Sequence, residues 1–207
     1  MAQKIENSTI NSALFTDFYE LTMAQGYWKN NMDYPAVFDM FFRRNPFKGG
    51  FAVFAGLETL IDALTDFTFS ESDIEYLKSV GIFEQGFLDY LKEFKFSGTL
   101  YAQEEGSIVF PNEPLIRIHA NLIEAQIIEG LVLNHINFQT LIATKSTRVW
   151  LASKKGSIME FGLRRAQGPD AGLYGARAAM IGGCVGTSNV LAGQLFDVPV
   201  KGTHAHS

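Results

Sequence analysis

Apolar side chains near the start of the chain recur three and four positions apart, Leu14, Phe18 and Leu21 on one side and Phe15, Tyr19 and Met23 on another. That spacing predicts a first helix over 12–29, wrapped in apolar surface on two sides. After Asp33-Tyr34-Pro35 the period drops to two. Residues 36–44 read as a strand with Val37, Asp39, Phe41 and Arg43 on one face and Phe38, Met40, Phe42 and Arg44 on the other. The two arginines then point opposite ways. Between 47 and 97, glycine-containing turns separate helical stretches at 56–64, 70–79 and 82–94, the second opening on the cap-like Ser70-Glu71-Ser72-Asp73. Short strands follow at 98–102, 106–110 and 115–119, punctuated by Pro111-Asn112-Glu113-Pro114. Leu122, Ala125, Ile128, Val132, Ile136 and Leu141 then predict one long helix over 121–154 that needs a large partner surface.

Beyond Gly156 short strands and helices alternate: strand 157–161, an Ala/Gly-rich helix 170–181, strand 184–186, helix 189–196 and strand 198–200. Alternation of this kind implies a parallel sheet or barrel. Only about three such units fit, whereas a closed eightfold barrel takes roughly 250 residues. The expected fold class is therefore α/β, an N-terminal α+β domain over 1–120 followed over 121–207 by the long helix and the first part of an irregular, truncated α/β barrel.

Composition narrows the classes. The 207 residues are 47% hydrophobic, 13% aromatic and 19% charged, with a net charge of −5, so no basic surplus favours nucleic acid or an anionic membrane. Any anionic substrate has to be met by a few local arginines or lysines. Cys184 is the single cysteine, which excludes an intrachain disulfide and any multi-cysteine metal site and fits a reducing compartment. Its small apolar neighbours suggest a buried, inert thiol. No secretory leader and no membrane span is legible, and the chain is expected to be cytoplasmic.

Candidate chemistry clusters where predicted strands end. Glu160-Phe161-Gly162-Leu163-Arg164-Arg165 places an aromatic ring and two fixed cations at one strand's carboxyl end, where a planar anion can be stacked and paired. Ion pairing of those arginines to Glu160 or Asp170 is the competing reading. Gly186-Thr187-Ser188-Asn189 ends the next strand, its hydroxyls facing a ligand or, alternatively, Ser188 capping the following helix. Lys145 and Arg148 stand about one turn apart, able to hold a phosphate if they face a barrel mouth, and a solvated helix face otherwise. His204 and His206 alternate near the end of the chain, each suited to nucleophilic or proton-transfer chemistry near neutral pH and neither to zinc; His119 and His135 read as hydrogen-bonded structural side chains.

Taken in order, TDFYELTM (16–23), FDMFFR (38–43), NHINFQTLIATK (134–145), EFGLRRAQG (160–168), GTSN (186–189) and GTHAHS (202–207) resemble nicotinate phosphoribosyltransferase, of the type II phosphoribosyltransferases. The resemblance implies that nicotinate and phosphoribosyl pyrophosphate form nicotinate mononucleotide and pyrophosphate, coupled to hydrolysis of ATP with Mg2+ as counter-ion. It implies a homodimer with shared active sites and an N-terminal α+β domain packed on an irregular barrel. Phe161 would stack on the pyridine ring, Arg164 pair with its carboxylate, Tyr19 cover the other ring face from the neighbouring subunit and Arg43 reach phosphate across the interface. Ser188 and Thr203 would join the substrate-binding set, and Lys145 and Arg148 the phosphate-binding one. His206 falls on the phosphorylated histidine, with His204 at a variable position. The related nicotinamide enzyme carries Asp where Ser188 stands, so Ser188 favours nicotinate. Nicotinamide or quinolinate transfer, or an inactive fragment serving as a structural partner, are the alternatives.

Overall fold

A computed structural model of the chain describes residues 13–204. Helix α1 (Phe18–Lys29) leads into an antiparallel sheet of β1 (Pro35–Met40), β5 (Ile116–Asn121) and β3 (Thr99–Ala102), with β5 in the middle. Phe38, Ile118 and Leu100 lie in register on its inner face, while Asp39 and Arg117 pair on the outer face through hydrogen bonds of 2.7 and 2.8 Å. Alternation along these strands thus sorts core from solvent. Helices α2 (Leu57–Thr65), α3 (Glu71–Val80) and α4 (Gln85–Lys92) cover the inner face with a phenylalanine-rich core in which Phe54 and Phe87 are fully buried. Phe67, Phe69 and Phe94 pack edge to face there, with ring centroids 5.8 to 6.1 Å apart, the arrangement that ring quadrupoles favour. Ser70 caps α3 as expected, accepting from the Asp73 N–H at 3.2 Å while Asp73 accepts from the Ser70 N–H at 2.8 Å.

Two boundaries differ from expectation. The first strand stops at Met40, and Arg43 and Arg44 lie in a bend, not on opposite strand faces. The long helix is two: α5 (Leu122–Ile127) and α6 (Glu129–Ala152), broken at the fully buried Ile128, whose ψ of −4° leaves the helical range. The hydroxyl of Thr16 donates to the Ile127 carbonyl at 3.1 Å beside the break. Apolar residues continue through the turn on both segments, so periodicity alone cannot mark it. Bending lets α5 pack on α1 and the sheet while α6 runs on to β2 (Ala52–Val53), α2 and α7 (Pro169–Ile181).

Polar side chains of α6 make these contacts directional. Thr144 accepts from the Val53 N–H at 2.8 Å, and Thr140 accepts from the Ala55 N–H and donates to the Ala55 carbonyl, both at 3.2 Å. One turn of helix therefore satisfies the outward backbone groups of β2, whose other side pairs with β4 (Ile108–Val109). At the far end of α7, a Cβ on Gly182 would lie 2.3 Å from the Ala143 carbonyl oxygen, so only glycine permits this approach to α6. Among the described residues no helix is long and apolar enough to cross a membrane.

Arg177, 8% exposed, joins α7 to the rest. Its guanidinium donates to both Glu105 oxygens at 2.9 and 2.6 Å, to Glu58 at 2.5 Å and to the Gln139 side-chain oxygen at 3.3 Å. Glu105 also accepts the backbone N–H groups of Gly56 and Leu57 at the start of α2. Burial opposes its charge, but Arg177 and these N–H groups hold the carboxyl below its usual range. Arg177→Met should therefore cost about 3 to 5 kcal/mol by leaving Glu105 buried and unpaired. Urea denaturation will read this loss, and adding Glu105→Gln to the same chain should recover part of it.

At the other end of the molecule Glu20, 1% exposed, accepts from Thr16 and from the Asp17 N–H at the start of α1. Burial first, then the Glu129 and Asp17 carboxylates, push its carboxyl from 4.5 up to about 7. The folded chain thus keeps a proton that the unfolded chain releases earlier. Stability should fall as pH rises from about 4.5 to about 7, by roughly 2 to 3 kcal/mol in total, and then level off. Urea midpoints measured across that window should lose this slope in Glu20→Gln.

Candidate active site

Strands β6 (Ile158–Glu160) and β7 (Cys184–Thr187) lie parallel, as the alternating pattern predicts. Ile158 faces Cys184 and Glu160 faces Thr187, so β7 carries one extra residue between the two pairings. Past this bulge the Ser188 N–H donates to the Glu160 carbonyl at 3.1 Å. The predicted strand at 198–200 reduces to a single parallel bridge, Thr187 to Val200, flanked by hydrogen bonds from the Thr187 N–H to the Pro199 carbonyl (3.0 Å) and from the Lys201 N–H to the Thr187 carbonyl (2.9 Å).

The carboxyl ends of β6 and β7 present the residues that the sequence singled out. Phe161 directly follows β6 and is 41% exposed. The short turn Leu163–Arg165 then carries Arg164 and Arg165 outward before α7 begins at Pro169. Neither arginine pairs with Glu160 or Asp170; among the described residues the ion pairs lie elsewhere. The Glu160 carboxylate instead accepts from the Gly162 N–H and, at 2.6 Å, from the Thr187 hydroxyl. Nor does Ser188 cap the next helix, α8 (Val190–Phe196). That role belongs to Asn189, whose side-chain oxygen accepts from the Ala192 N–H at 3.2 Å while its amide nitrogen donates to the Gly172 carbonyl at 3.0 Å. The half-buried Ser188 hydroxyl has no hydrogen-bond partner among the described residues. An exposed ring, a guanidinium outside any ion pair and a spare hydroxyl thus share one strand end, where α/β folds present ligands.

The other expected site residues have contacts of their own. Tyr19, 46% exposed on α1, donates to Glu129 at 3.2 Å; partial burial and then the Glu129, Glu20 and Asp17 carboxylates push its hydroxyl up to about 12, so it stays a donor. Arg43 is exposed, and the segment after it docks on α6 through Phe47. The Lys145 ammonium sits 4.1 Å from the Phe47 ring centroid and the Arg148 guanidinium 5.8 Å, with Arg148 also donating to the Phe47 carbonyl at 2.5 Å. Phe47 and Lys48 adopt positive φ angles of 58° and 53°, a left-handed bend that this grip holds in place. Thr147, between the two cations, donates to the Gly182 carbonyl at 2.9 Å, just before β7 starts. Lys145 and Arg148 therefore stand at the amino end of β7, not at the mouth formed by its carboxyl end. Along α6, Glu129 and Lys145 are 16 residues apart, about 24 Å. Tyr19 and the bend after Arg43 thus meet α6 at well-separated points.

Thr203 and His204 are exposed after the Val200 bridge, while His206 lies outside the described residues. His135 is buried and its ring nitrogen Nδ1 lies 3.0 Å from the Leu131 carbonyl, the structural role expected of it. His119 departs from expectation: it is exposed on β5, with its ring edge against Tyr101 at 5.4 Å. Cys184 is half-buried and burial pushes its thiol up, consistent with an inert side chain. An open groove of about 530 Å³ crosses the outer sheet face at Tyr101, Gln103, Arg117 and His119, away from the strand ends. Sequence reading missed Glu160 as an organiser of the site. The signal was its place in EFG directly ahead of the turn, but its partner Thr187 is 27 residues on.

Known proteins resemble the chain along most of its length. The chain is 48% identical over 198 residues to the nicotinate phosphoribosyltransferase of Dictyostelium discoideum, covering 94% of this chain and 34% of that protein. It is 48% identical over 196 residues to the enzyme of the same name from Bacillus subtilis, covering 94% and 40%. The crystal structure of human nicotinic acid phosphoribosyltransferase superposes with a TM-score of 0.85 at 40% identity, over 92% of this chain and 39% of that one. The chain thus spans between a third and two fifths of these proteins' lengths. The nicotinate phosphoribosyltransferase N-terminal domain profile matches residues 14–137, more than half of the sequence, and the chain belongs to that family.

Proposed function

We propose that the chain carries the pyridine-binding part of a nicotinate phosphoribosyltransferase, which makes nicotinate mononucleotide and pyrophosphate from nicotinate and phosphoribosyl pyrophosphate. The observation that carries this reading is the strand end shared by Phe161, Arg164 and Ser188. A flat anion stacks on Phe161; the Arg164 fork pairs with its carboxylate and the Ser188 hydroxyl donates to it. The ring nitrogen then attacks ribose C1, and the bond from C1 to the pyrophosphate oxygen breaks with its electron pair leaving on pyrophosphate. Thr203 belongs to the same substrate set.

The distance along α6 between the Tyr19 and Arg43 neighbourhoods supports a site completed by a second copy, in which Tyr19 covers the ring and Arg43 meets phosphate across a homodimer interface. Lys145 and Arg148, engaged with Phe47, support Arg43 from behind in this arrangement instead of meeting phosphate at their own chain's mouth. In the same proposal ATP is a cosubstrate, His206 takes its γ-phosphoryl group, and the enzyme works in the cytoplasm. In the same reading Mg2+ is the counter-ion of the phosphates.

A chimera in which these residues replace the matching segment of the Bacillus subtilis relative tests the reading. It should convert nicotinate in preference to nicotinamide and quinolinate; a preference for nicotinamide would overturn the role of Ser188. Ser188→Asp sets a second carboxylate against the substrate's and should weaken nicotinate on the order of 10-fold or more. With γ-labelled ATP the chimera should carry label that His206→Ala loses; label retained in that variant would remove His206 from the mechanism.

A further inference from the structure

The bulge between β6 and β7 falls immediately before the residues of the candidate site. A parallel pair is normally held by evenly spaced backbone hydrogen bonds, and one extra residue on one strand interrupts them and turns the following side chains. The extra length includes Gly186, where a Cβ would lie 2.7 Å from the Lys201 side chain and 3.0 Å from the Pro199 carbonyl oxygen. Residues 199–201 therefore press on the bulge from its other side. Past the bulge a single backbone bond, from the Ser188 N–H to the Glu160 carbonyl at 3.1 Å, resumes the pairing and leaves the side chains of Phe161 and Ser188 to be set by what flanks it.

Side chains add a second tie across the same two strand ends. One Glu160 oxygen accepts from Gly162, the residue after Phe161, and the other accepts from the Thr187 hydroxyl, next to Ser188, at 2.6 Å. The same hydroxyl accepts from the Asn189 N–H at 3.0 Å, and Asn189 is tied to α7 through Gly172. Thr187 is fully buried and Asn189 is 6% exposed, which shields the hydroxyl at the centre of these bonds, while Glu160 itself is half-buried. With its proton given to Glu160 and a lone pair to Asn189, the Thr187 hydroxyl is spent internally. Ser188 is left as the hydroxyl that can face a ligand.

We propose that Glu160 and Thr187 form a positioning clasp that sets the ring-stacking residue and the carboxylate-facing hydroxyl at one separation, and so selects a planar monocyclic acid of nicotinate's size. The proposal rests on the nicotinate reading for its ligand, though not for the clasp itself. Displacing either side by about 1 Å would misalign stack and donor, an error that costs on the order of 10- to 100-fold in such sites.

Two measurements test it. In the chimera, Glu160→Ala and Thr187→Val should each raise KM for nicotinate on the order of 10- to 100-fold while leaving KM for ATP unchanged, and the double variant should be little worse than either single one. Thr187→Ser keeps the hydroxyl and should stay within about threefold of the parent, whereas Glu160→Gln offers one acceptor to two donors and should behave like Glu160→Ala. Equal losses for every substrate, additive losses in the double variant, or no rescue by Thr187→Ser would overturn the clasp. In the 207-residue chain itself, hydrogen exchange at the Gly162 and Asn189 amides should quicken in Glu160→Ala; unchanged exchange would overturn the proposal too. A parent chimera inactive on nicotinate would refute the ligand, while the exchange result would still decide the clasp.

Discussion

Everything downstream of α6 is oriented by one buried guanidinium. α6 and α7 meet over small apolar residues, and burial of such surface is non-directional, so packing alone would permit α7 to slide or rotate. Arg177 removes that freedom, because its planar fork meets Glu105, Glu58 and Gln139 at fixed angles. Desolvating these charges offsets much of what their attraction contributes, so the cluster's main product is geometry. α7 is the crossover between β6 and β7, and fixing it fixes both strand ends.

The candidate site follows from that frame through a short chain of dependence. α7 receives Asn189 at Gly172, Asn189 binds Thr187, Thr187 binds Glu160, and Glu160 holds the turn that carries Phe161 and Arg164. A second chain of dependence runs through the other end of α6, where two cations grip Phe47 and hold the bend after Arg43. The helix α6 runs past both regions.

Elements governed by local rules were legible in the sequence. Ser70 announced the start of α3, alternation announced β1 and β5, and the strand-helix succession after Gly156 announced the parallel pair. Features set by distant partners were not. Around Ile128 the apolar periodicity of one segment carries on into the next, and only the diverging packing of α5 and α6 makes it a corner. Arg177 stands in an Ala/Gly-rich helix with nothing nearby in the sequence to mark its partners, since Glu105 and Glu58 are 72 and 119 positions away. The placement of Lys145 and Arg148 depended on how α6 aligns with β7, which no spacing encodes. The same holds for the cap of α8: Ser188 and Asn189 are equally good capping residues on paper, and the tie of Asn189 to Gly172 decides between them.

The threonine contacts of α6 also bear on how the molecule avoids self-association. A two-stranded sheet has two open edges, each a template for foreign strands. The outward N–H groups of Val53 on β2 and of Ala55 just after it are already taken by Thr144 and Thr140. An incoming strand would have to displace a packed helix before finding a free donor, so a side of the sheet that could nucleate aggregation is closed by the helix that builds the core.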